Sequence, residues 1–586
     1  MTLPEIYSLA VWHHQAGRLR EADSLYRQVL AQQPDHAGAL EMLGVLAHQI
    51  GRQSAAVELL QRSVAIDPAN ADAQNNLGVA LAAAGRWDEA IAAYRQALMA
   101  RPDHARAHNN LGSALREIGR LDEAIDAYRV ATTLRRDYVE AHDNLGHALR
   151  EQGLLDDAIA AYKQALALSP QSPDILNSLG AALQEKGELD EAVATLHRAL
   201  ELRADFAEAH YNLAVTCQDQ GRLDEAVDSY QRAIALRPEY VDAHKNLGNA
   251  LRQKGNLDAA ILAYERALAV RPDSAESRWN LGLALLTKGD FARGWDAYEA
   301  RRQVKQFGGE RQFAQAAWDG RPLSGRRILL YAEQGLGDTI QFIRYCPLVS
   351  GRGGRVIVQC RGELWRLLVA QCGIDQLVCD GDPLPSFDVQ CPLPSVPRIF
   401  GTTLQTIPAT TPYLFADAAL SELWRTKMQP GEARLRIGLN WAGNPIPWSN
   451  RIRSLDLQDL APLGRLSGPR FYSMQKGEAS AQTRTPPCGL QLLDLGKQIG
   501  DLADTAAVMA NLDLIITCDT SVAHLAGALG RPVWVLLPFA ADWRWLLDRT
   551  DSPWYPTMRL FRQTRAGDWR DPVEQVARRL TEGSTA

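Results

Sequence analysis

One arrangement of apolar and polar positions recurs every 34 residues through the first three hundred residues of the chain. In the unit Ala71–Asp103, apolar residues fall at helical spacing in two blocks, and Gly85 separates the blocks. A leucine and a glycine recur at this spacing in nine units, a tyrosine in seven and a proline in six. The pattern predicts nine helix pairs. Each pair has a glycine in the left-handed conformation at the turn between its helices. In the six units that carry the proline, it follows the second helix.

Such a helix pair cannot bury its apolar face alone, whereas stacked neighbours can. The fixed period therefore predicts an α solenoid over residues 1–305, with an inner groove lined by the first helix of each pair. The period and its leucine, glycine, tyrosine and proline positions resemble the tetratricopeptide repeat.

An asparagine occupies the same first-helix position in six units, and Ser178 takes that position in a seventh. A column of side-chain amides offers both donors and acceptors to the backbone of an extended peptide. The column resembles the asparagine ladder in the repeat domain of eukaryotic O-GlcNAc transferase, which implies a peptide groove. The alternative is that Asn-Leu-Gly is ordinary for this repeat. The candidate groove residues are Asn76, Asn110, Asn144, Asn212, Asn246 and Asn280.

Beyond residue 305 short β-branched runs alternate with helical segments, which predicts parallel sheets with right-handed crossovers. Two successive series predict two Rossmann-like halves, residues 306–430 and 431–586. Residues 363–372 and 454–463 are among the predicted helices, and another begins near Ser521.

Ligands of open α/β sheets bind beyond the carboxyl ends of the strands. Three segments stand at such positions, and each also has an ordinary structural interpretation. Gln334–Asp338 is a glycine-rich turn into a helix, where the aspartate can simply cap the helix. Asn440–Asn444, followed by Trp448, Arg451 and Arg453, can bind a nucleotide or form a solvated basic loop. Cys518–Pro532 begins a helix whose free N–H groups favour a phosphate, unless ordinary capping satisfies them.

The stretch DLIITCDTSVAHLAGALGRPVWVLLP and the earlier GLGDTIQFIRYCPLV resemble two motifs of the ADP-heptose:lipopolysaccharide heptosyltransferases. The whole chain resembles bacterial tetratricopeptide-repeat proteins with a heptosyltransferase-like carboxyl-terminal domain of the two-Rossmann (GT-B) fold. The resemblance implies metal-independent inverting glycosyl transfer, with no cofactor beyond the nucleotide-sugar co-substrate. It implies that Asp338 is the general base. The implied or candidate donor-binding residues are Gly335, Gly337, Arg451, Arg453, Lys476, Asp519, Thr520, Ser521 and His524.

Two features depart from that family. Ser521 stands where the family usually has glycine, and the first half is short for this class. The short half allows two interpretations: the repeats supply the acceptor site, or the domain has lost its activity.

The charge balance argues against a general nucleic-acid binder, because 63 basic and 69 acidic residues give a net charge of −6. No run reaches about 18 consecutive apolar residues, so no membrane span is expected. The eight cysteines form no CxxC pair, and the first residues do not resemble a secretory signal, so we expect reduced thiols and a cytoplasmic location.

The leading hypothesis is a glycosyltransferase whose repeats recruit a protein or peptide acceptor. The alternative is an interaction scaffold whose α/β domain is a non-catalytic nucleotide-sugar binder or a structural cap. The sequence leaves the sugar, the nucleotide and the acceptor open.

Overall fold

The backbone divides into two compact units, Met1–Pro238 and Glu239–Ala586. The structure, a computed structural model, describes residues 1–304, 311–369, 371–428, 435–443 and 452–583. The sequence places the boundary at residue 305, where helices give way to strands, but the packing divides the chain earlier. The reason is that apolar side chains of the last helix pair, such as Phe291 and Trp295, belong to the core of the α/β region.

The first unit consists of seven helix pairs, and the second begins with two more. The helices of the first unit are α1 Leu3–Gln15, α2 Leu19–Gln32, α3 Ala37–Gln49, α4 Gln53–Ile66, α5 Ala71–Ala83, α6 Trp87–Ala100, α7 Ala105–Glu117, α8 Leu121–Leu134, α9 Val139–Glu151, α10 Leu155–Leu168, α11 Pro173–Lys186, α12 Leu189–Leu202, α13 Ala207–Asp219 and α14 Leu223–Leu236. Those of the second are α15 Val241–Gln253, α16 Leu257–Val270, α17 Ala275–Lys288 and α18 Phe291–Tyr298. The nine pairs and their left-handed turn glycines were predicted; Gly85, for example, has a φ of 73°.

The recurring tyrosine packs its ring against the glycine of the Asn-Leu-Gly sequence in the same helix pair. A Cβ on Gly146 would lie 2.6 Å from a ring carbon of Tyr162, so only glycine lets the buried ring pack against the first helix. The same contact joins Gly248 to Tyr264. The two columns therefore coincide where a ring packs this close, whereas Leu196 takes the place of the ring against Gly180, and Ala214 stands opposite the buried Tyr230.

The first sheet of the second unit has the strand order β3-β2-β1-β4, and every pair is parallel. Its strands are β1 Arg327–Tyr331, β2 Arg355–Cys360, β3 Gln376–Cys379 and β4 Val389–Pro392. Its helices are α19 Leu336–Phe342, α20 Cys346–Ser350, α21 Trp365–Leu368 and α22 Val396–Ile399. The helix predicted over residues 363–372 is thus reduced to a 3-10 turn and the short α21.

The second sheet has the order β10-β9-β8-β5-β6-β7, again parallel throughout. Its strands are β5 Leu435–Asn440, β6 Pro469–Ser473, β7 Leu492–Asp494, β8 Leu514–Cys518, β9 Val533–Leu537 and β10 Met558–Arg562. The helices are α23 Ala418–Met428, α24 Leu502–Ala510, α25 Ser521–Ala528 and α26 Arg570–Thr581. The helix predicted at 454–463 was wrong: a 3-10 segment spans Leu457–Arg465, and it contains Pro462, which lacks the N–H that an α-helix interior needs.

Both sheets reverse their winding at a central strand, which is the place where doubly wound folds bind ligands. In the first sheet the reversal lies between β1 and β4, and in the second between β5 and β8. None of the helices in the described residues is long and apolar enough to cross a membrane.

Candidate functional site

The loop between β1 and α19 carries the predicted base. Asp338 is the third residue of α19, and its Oδ2 accepts the backbone N–H of Gly335 at 2.8 Å. Its Oδ1 pairs with the guanidinium of Arg544, which follows β9 of the second sheet. The carboxylate therefore has the capping role foreseen as the structural alternative, and it also joins the two halves.

At the reversal point of the second sheet, the residue that precedes α25 does not cap the helix with its side chain. Thr520 is the N-cap residue but makes no side-chain bond to the helix; its hydroxyl donates to Asn440 Oδ1 at 2.9 Å, at the end of β5. The amide of Gln475 in turn accepts from Asn440 and from the backbone N–H of Trp441. This buried network fixes the loops after β5, β6 and β8 against one another and leaves the helix start without a side-chain cap.

The starts of α19 and α25 pack directly together. A Cβ on Gly337 would lie 2.8 Å from His524 Cδ2 and 3.6 Å from Ser521 Cα. The His524 ring stacks on Trp545 and bonds the Tyr555 hydroxyl at 2.9 Å. Burial, with Arg544 and other cations nearby, lowers the pKa of His524 well below its usual value, so the ring is neutral. Four predicted site residues, Gly337, Asp338, Ser521 and His524, are thus gathered at one place.

Asp519 lies beside them in a buried and strongly charged setting. Burial, and then the carboxylate of Asp542, raise its pKa to about 6, while Arg453 and Arg544 oppose the shift. A Cβ on Gly443 would lie 3.9 Å from Arg453 Nε and 3.5 Å from the Thr520 methyl carbon, and this Nε is buried without a hydrogen-bond partner in the described part of the chain. A guanidinium with an unused donor at the uncapped start of α25 is suited to an anion.

The remaining predicted donor residues are not brought to this place by the described structure. The Lys476 ammonium donates to the backbone carbonyls of Ile499 and Gly500 at 2.9 and 2.7 Å. Arg451, with Asn444 and Trp448, lies outside the described residues. Two surface cavities of the structure lie away from this place, at the amino ends of β6 and β7 and of β9 and β10.

Arg544 is the residue that sequence reasoning missed. Its side chain is 8 % exposed, and it pairs with Asp542 as well as Asp338 and donates to Gln341. The sequence offered one indication of Arg544, its position after β9, an interior strand of the second sheet. No motif marks the residue.

The asparagine column makes contacts between successive repeats. The side-chain amides of Asn110 and Asn144 donate to Asn75 and Asn109, each 35 residues earlier, at 3.0 and 3.1 Å. The same offset joins Asn76 to Glu41 and Asn212 to Asn177, while Asn246 accepts from Asn249 and Asn280 is buried. Four of the six asparagines, Asn76, Asn110, Asn144 and Asn212, therefore have a structural role, since they bond to the preceding repeat.

Known protein families match the repeat region and a segment of the second sheet separately. Tetratricopeptide-repeat families match residues 13–71, 75–139 and 146–289, and glycosyltransferase family 9 (heptosyltransferase) matches residues 494–537. The chain thus carries tetratricopeptide repeats over residues 13–289 and, near its carboxyl end, a segment similar to heptosyltransferases. The heptosyltransferase match runs from the end of β7 to the end of β9 and so includes the uncapped start of α25.

Among curated proteins, the chain is similar to protein FlbA of Caulobacter vibrioides, at 24 % identity over 297 residues. The match covers 46 % of this chain and 48 % of FlbA, so the chain spans about half the length of that relative. Among solved structures, it is similar to the Cut9–Hcn1 hetero-tetramer of the APC/C (TM-score 0.36, 19 % identity, 46 % of this chain and 52 % of that one). It is also similar to MamA (TM-score 0.26, 30 % identity, 28 % and 97 %).

Proposed function

We propose that this protein is a glycosyltransferase that moves a sugar from a nucleotide-sugar donor to an acceptor, a protein or peptide recruited by the repeats. The observation that carries the proposal is the meeting of Asp338 from one half with the uncapped start of α25 from the other. An acceptor base and a diphosphate site have to lie near each other, because the anomeric carbon of the sugar lies between the acceptor oxygen, whose proton the base takes, and the diphosphate oxygen that leaves.

In the proposed reaction, the donor diphosphate lies at the start of α25. There the backbone N–H groups, the positive end of the helix and Arg453 stabilise its charge. Thr520 holds this junction through Asn440, and Ser521 contributes a hydroxyl.

Asp338 accepts the proton of the acceptor hydroxyl as the acceptor oxygen attacks the anomeric carbon. The bond from that carbon to the diphosphate oxygen breaks on the opposite face, so the configuration inverts. The pair with Arg544 holds the Asp338 carboxylate towards the second half, and this pair has to loosen for the carboxylate to take the proton.

The scaffold alternative is favoured by one observation. Both oxygens of Asp338 are already engaged, by Gly335 and Arg544, and the start of α25 packs against α19. In that case the α/β region binds a nucleotide sugar without transfer, or acts as a structural cap on the repeats.

The experiment that tests the donor site is calorimetry of the full chain against a panel of nucleotide sugars and free nucleoside diphosphates. Replacing Thr520 and Ser521 together by alanine should weaken binding of the best nucleotide by about 1–3 kcal/mol, or roughly 5–150-fold. A matched control is Thr505→Ala, which removes a buried hydroxyl bonded to a carbonyl in the first turn of α24. Equal affinities for the double variant and the wild type, or no nucleotide binding by the wild type, would contradict the proposed site.

A further inference from the structure

The last repeat departs from the other repeats at the positions that face the α/β region. α18 has eight residues where α16 has fourteen, and the chain continues as a 3-10 turn, Glu299–Gln303. The position of Arg301 is occupied in six earlier repeats by a fully buried alanine: Ala97, Ala131, Ala165, Ala199, Ala233 and Ala267. A small core residue has thus been exchanged for a buried guanidinium.

Arg301 is 1 % exposed and forms hydrogen bonds to the loop that leads to Asp338. It donates to Glu333 at 2.8 and 3.0 Å, to Glu299 at 2.7 Å and to Ser395 at 2.6 Å. Glu333 lies two residues after the end of β1 and five residues before Asp338. The planar guanidinium therefore fixes the residue immediately before the glycine-rich turn, and it is itself held by Glu299 and Ser395.

Tyr298 fixes Gln334, the first residue of that turn. In three earlier repeats the column tyrosine bonds a polar side chain 15 residues earlier: Tyr128 to Ser113, Tyr162 to His147 and Tyr264 to Asn249. In the last repeat that earlier position is Leu283, which offers no partner, and the Tyr298 hydroxyl donates to Gln334 at 3.0 Å.

The same repeat also touches the loop after β9. The Trp543 ring, between Asp542 and Arg544 in sequence, lies 5.3 Å from the Trp295 ring and 6.1 Å from the Tyr298 ring. One repeat thus contacts both segments whose side chains form the Asp338–Arg544 pair.

We infer that Tyr298 and Arg301 of the last repeat are positioning residues for transfer, holding the turn that presents Asp338 to the donor half. The inference rests on the proposed function, because it assigns Asp338 the role of base. On this inference the last repeat helps to position the residues of the transfer site, in addition to any role of the repeats in recruiting the acceptor.

The test compares Tyr298→Phe and Arg301→Lys with a matched control, Tyr264→Phe, which removes the same hydroxyl one repeat earlier. In the full chain, kcat for transfer should fall about tenfold or more in the two test variants, since small misplacements of a reacting group cost up to about 10²-fold. The affinity for the free nucleoside diphosphate should stay within about twofold. Tyr264→Phe should leave both unchanged. Equal kcat for Tyr298→Phe and the wild type, or an equal loss in Tyr264→Phe, would overturn the inference.

A second measurement does not depend on activity and therefore separates this inference from the proposed function. Amide hydrogen exchange of peptides covering residues 333–342 should be faster in Tyr298→Phe than in the wild type and unchanged in Tyr264→Phe. If the wild type transfers no sugar, the proposed function fails and the exchange result still decides whether the last repeat holds the turn. Unchanged exchange in both test variants would refute the positioning role.

Discussion

Replacing Arg301 by methionine should destabilise the second unit through the carboxylates that it leaves behind. Methionine has a similar length but no charge, so Glu299 and Glu333 would remain without their shared cation, and Ser395 would lose a donor. Removing one partner of a buried ion pair costs about 3–5 kcal/mol. The two glutamate side chains are 21 % and 16 % exposed and can gain some hydration, which favours the lower end of that range.

The expected size of the melting shift follows from the size of the unit. Glu239–Ala586 comprises about 350 residues, for which the entropy of unfolding is roughly 0.7 kcal/mol per degree. A loss of about 3 kcal/mol should therefore lower the Tm of this unit by about 4 °C in differential scanning calorimetry.

The control for this prediction is Arg398→Ala. Arg398 also joins the last repeat to the α/β region, at 2.6 Å from Asp296, but the two side chains are 50 % and 68 % exposed. Such a pair contributes at most about 1 kcal/mol, so the Tm should move by about 1.4 °C or less. If Arg301→Met melts within 1 °C of the wild type, or no lower than Arg398→Ala, the reasoning about the buried guanidinium is refuted.

Three further predictions concern the site and the array. Because burial raises the pKa of Asp519 to about 6, its contribution to stability is fully present below its unfolded pKa, about 4, and is lost as the pH rises through about 6. Asp519→Asn should therefore gain Tm relative to the wild type between pH 4.5 and 7.5, and a constant difference would contradict the shift. Gly337→Ala should cost about 1–3 kcal/mol of unfolding free energy in denaturant titrations, because the new methyl group meets His524; an unchanged midpoint would argue against the contact. Asn144→Ala should cost about 1 kcal/mol, and a double-mutant cycle with Asn109 should show coupling; additive losses would mean that their bond contributes nothing.

The repeats were predictable because their pattern is local and is repeated nine times. The apolar spacing, the turn glycine and the tyrosine each depend on contacts within one helix pair. The same local pattern therefore predicts the same helix pair in each unit. The role of Asn144 was less accessible, because its bond to Asn109 crosses between two repeats and depends on their packing offset.

The candidate site was predictable as far as strand ends indicate it. The carboxyl ends of β1, β5 and β8 led to Asp338, Gly443 and Asp519, which the topology rule selects without side-chain detail. Arg544 was not found, since its partner Asp338 lies 206 residues earlier and neither the period nor any motif links the two. Arg301 was visible in principle, as an arginine in a column of alanines, but a break in a repeat does not by itself say what the new side chain contacts.

The central claim, that Asp338 acts as the base of a glycosyl transfer, is tested most directly by Asp338→Asn in the full chain. Transfer and nucleotide affinity are measured on the same preparation, with Asp542→Asn as the control that removes a different carboxylate partner of Arg544. The account predicts that Asp338→Asn lowers the transfer rate by about 10²–10⁴-fold, while nucleoside diphosphate affinity stays within about twofold and Asp542→Asn retains most of the transfer activity. Transfer by Asp338→Asn at the wild-type rate would contradict the account, and a wild type that binds nucleotide but transfers to no acceptor would favour the scaffold.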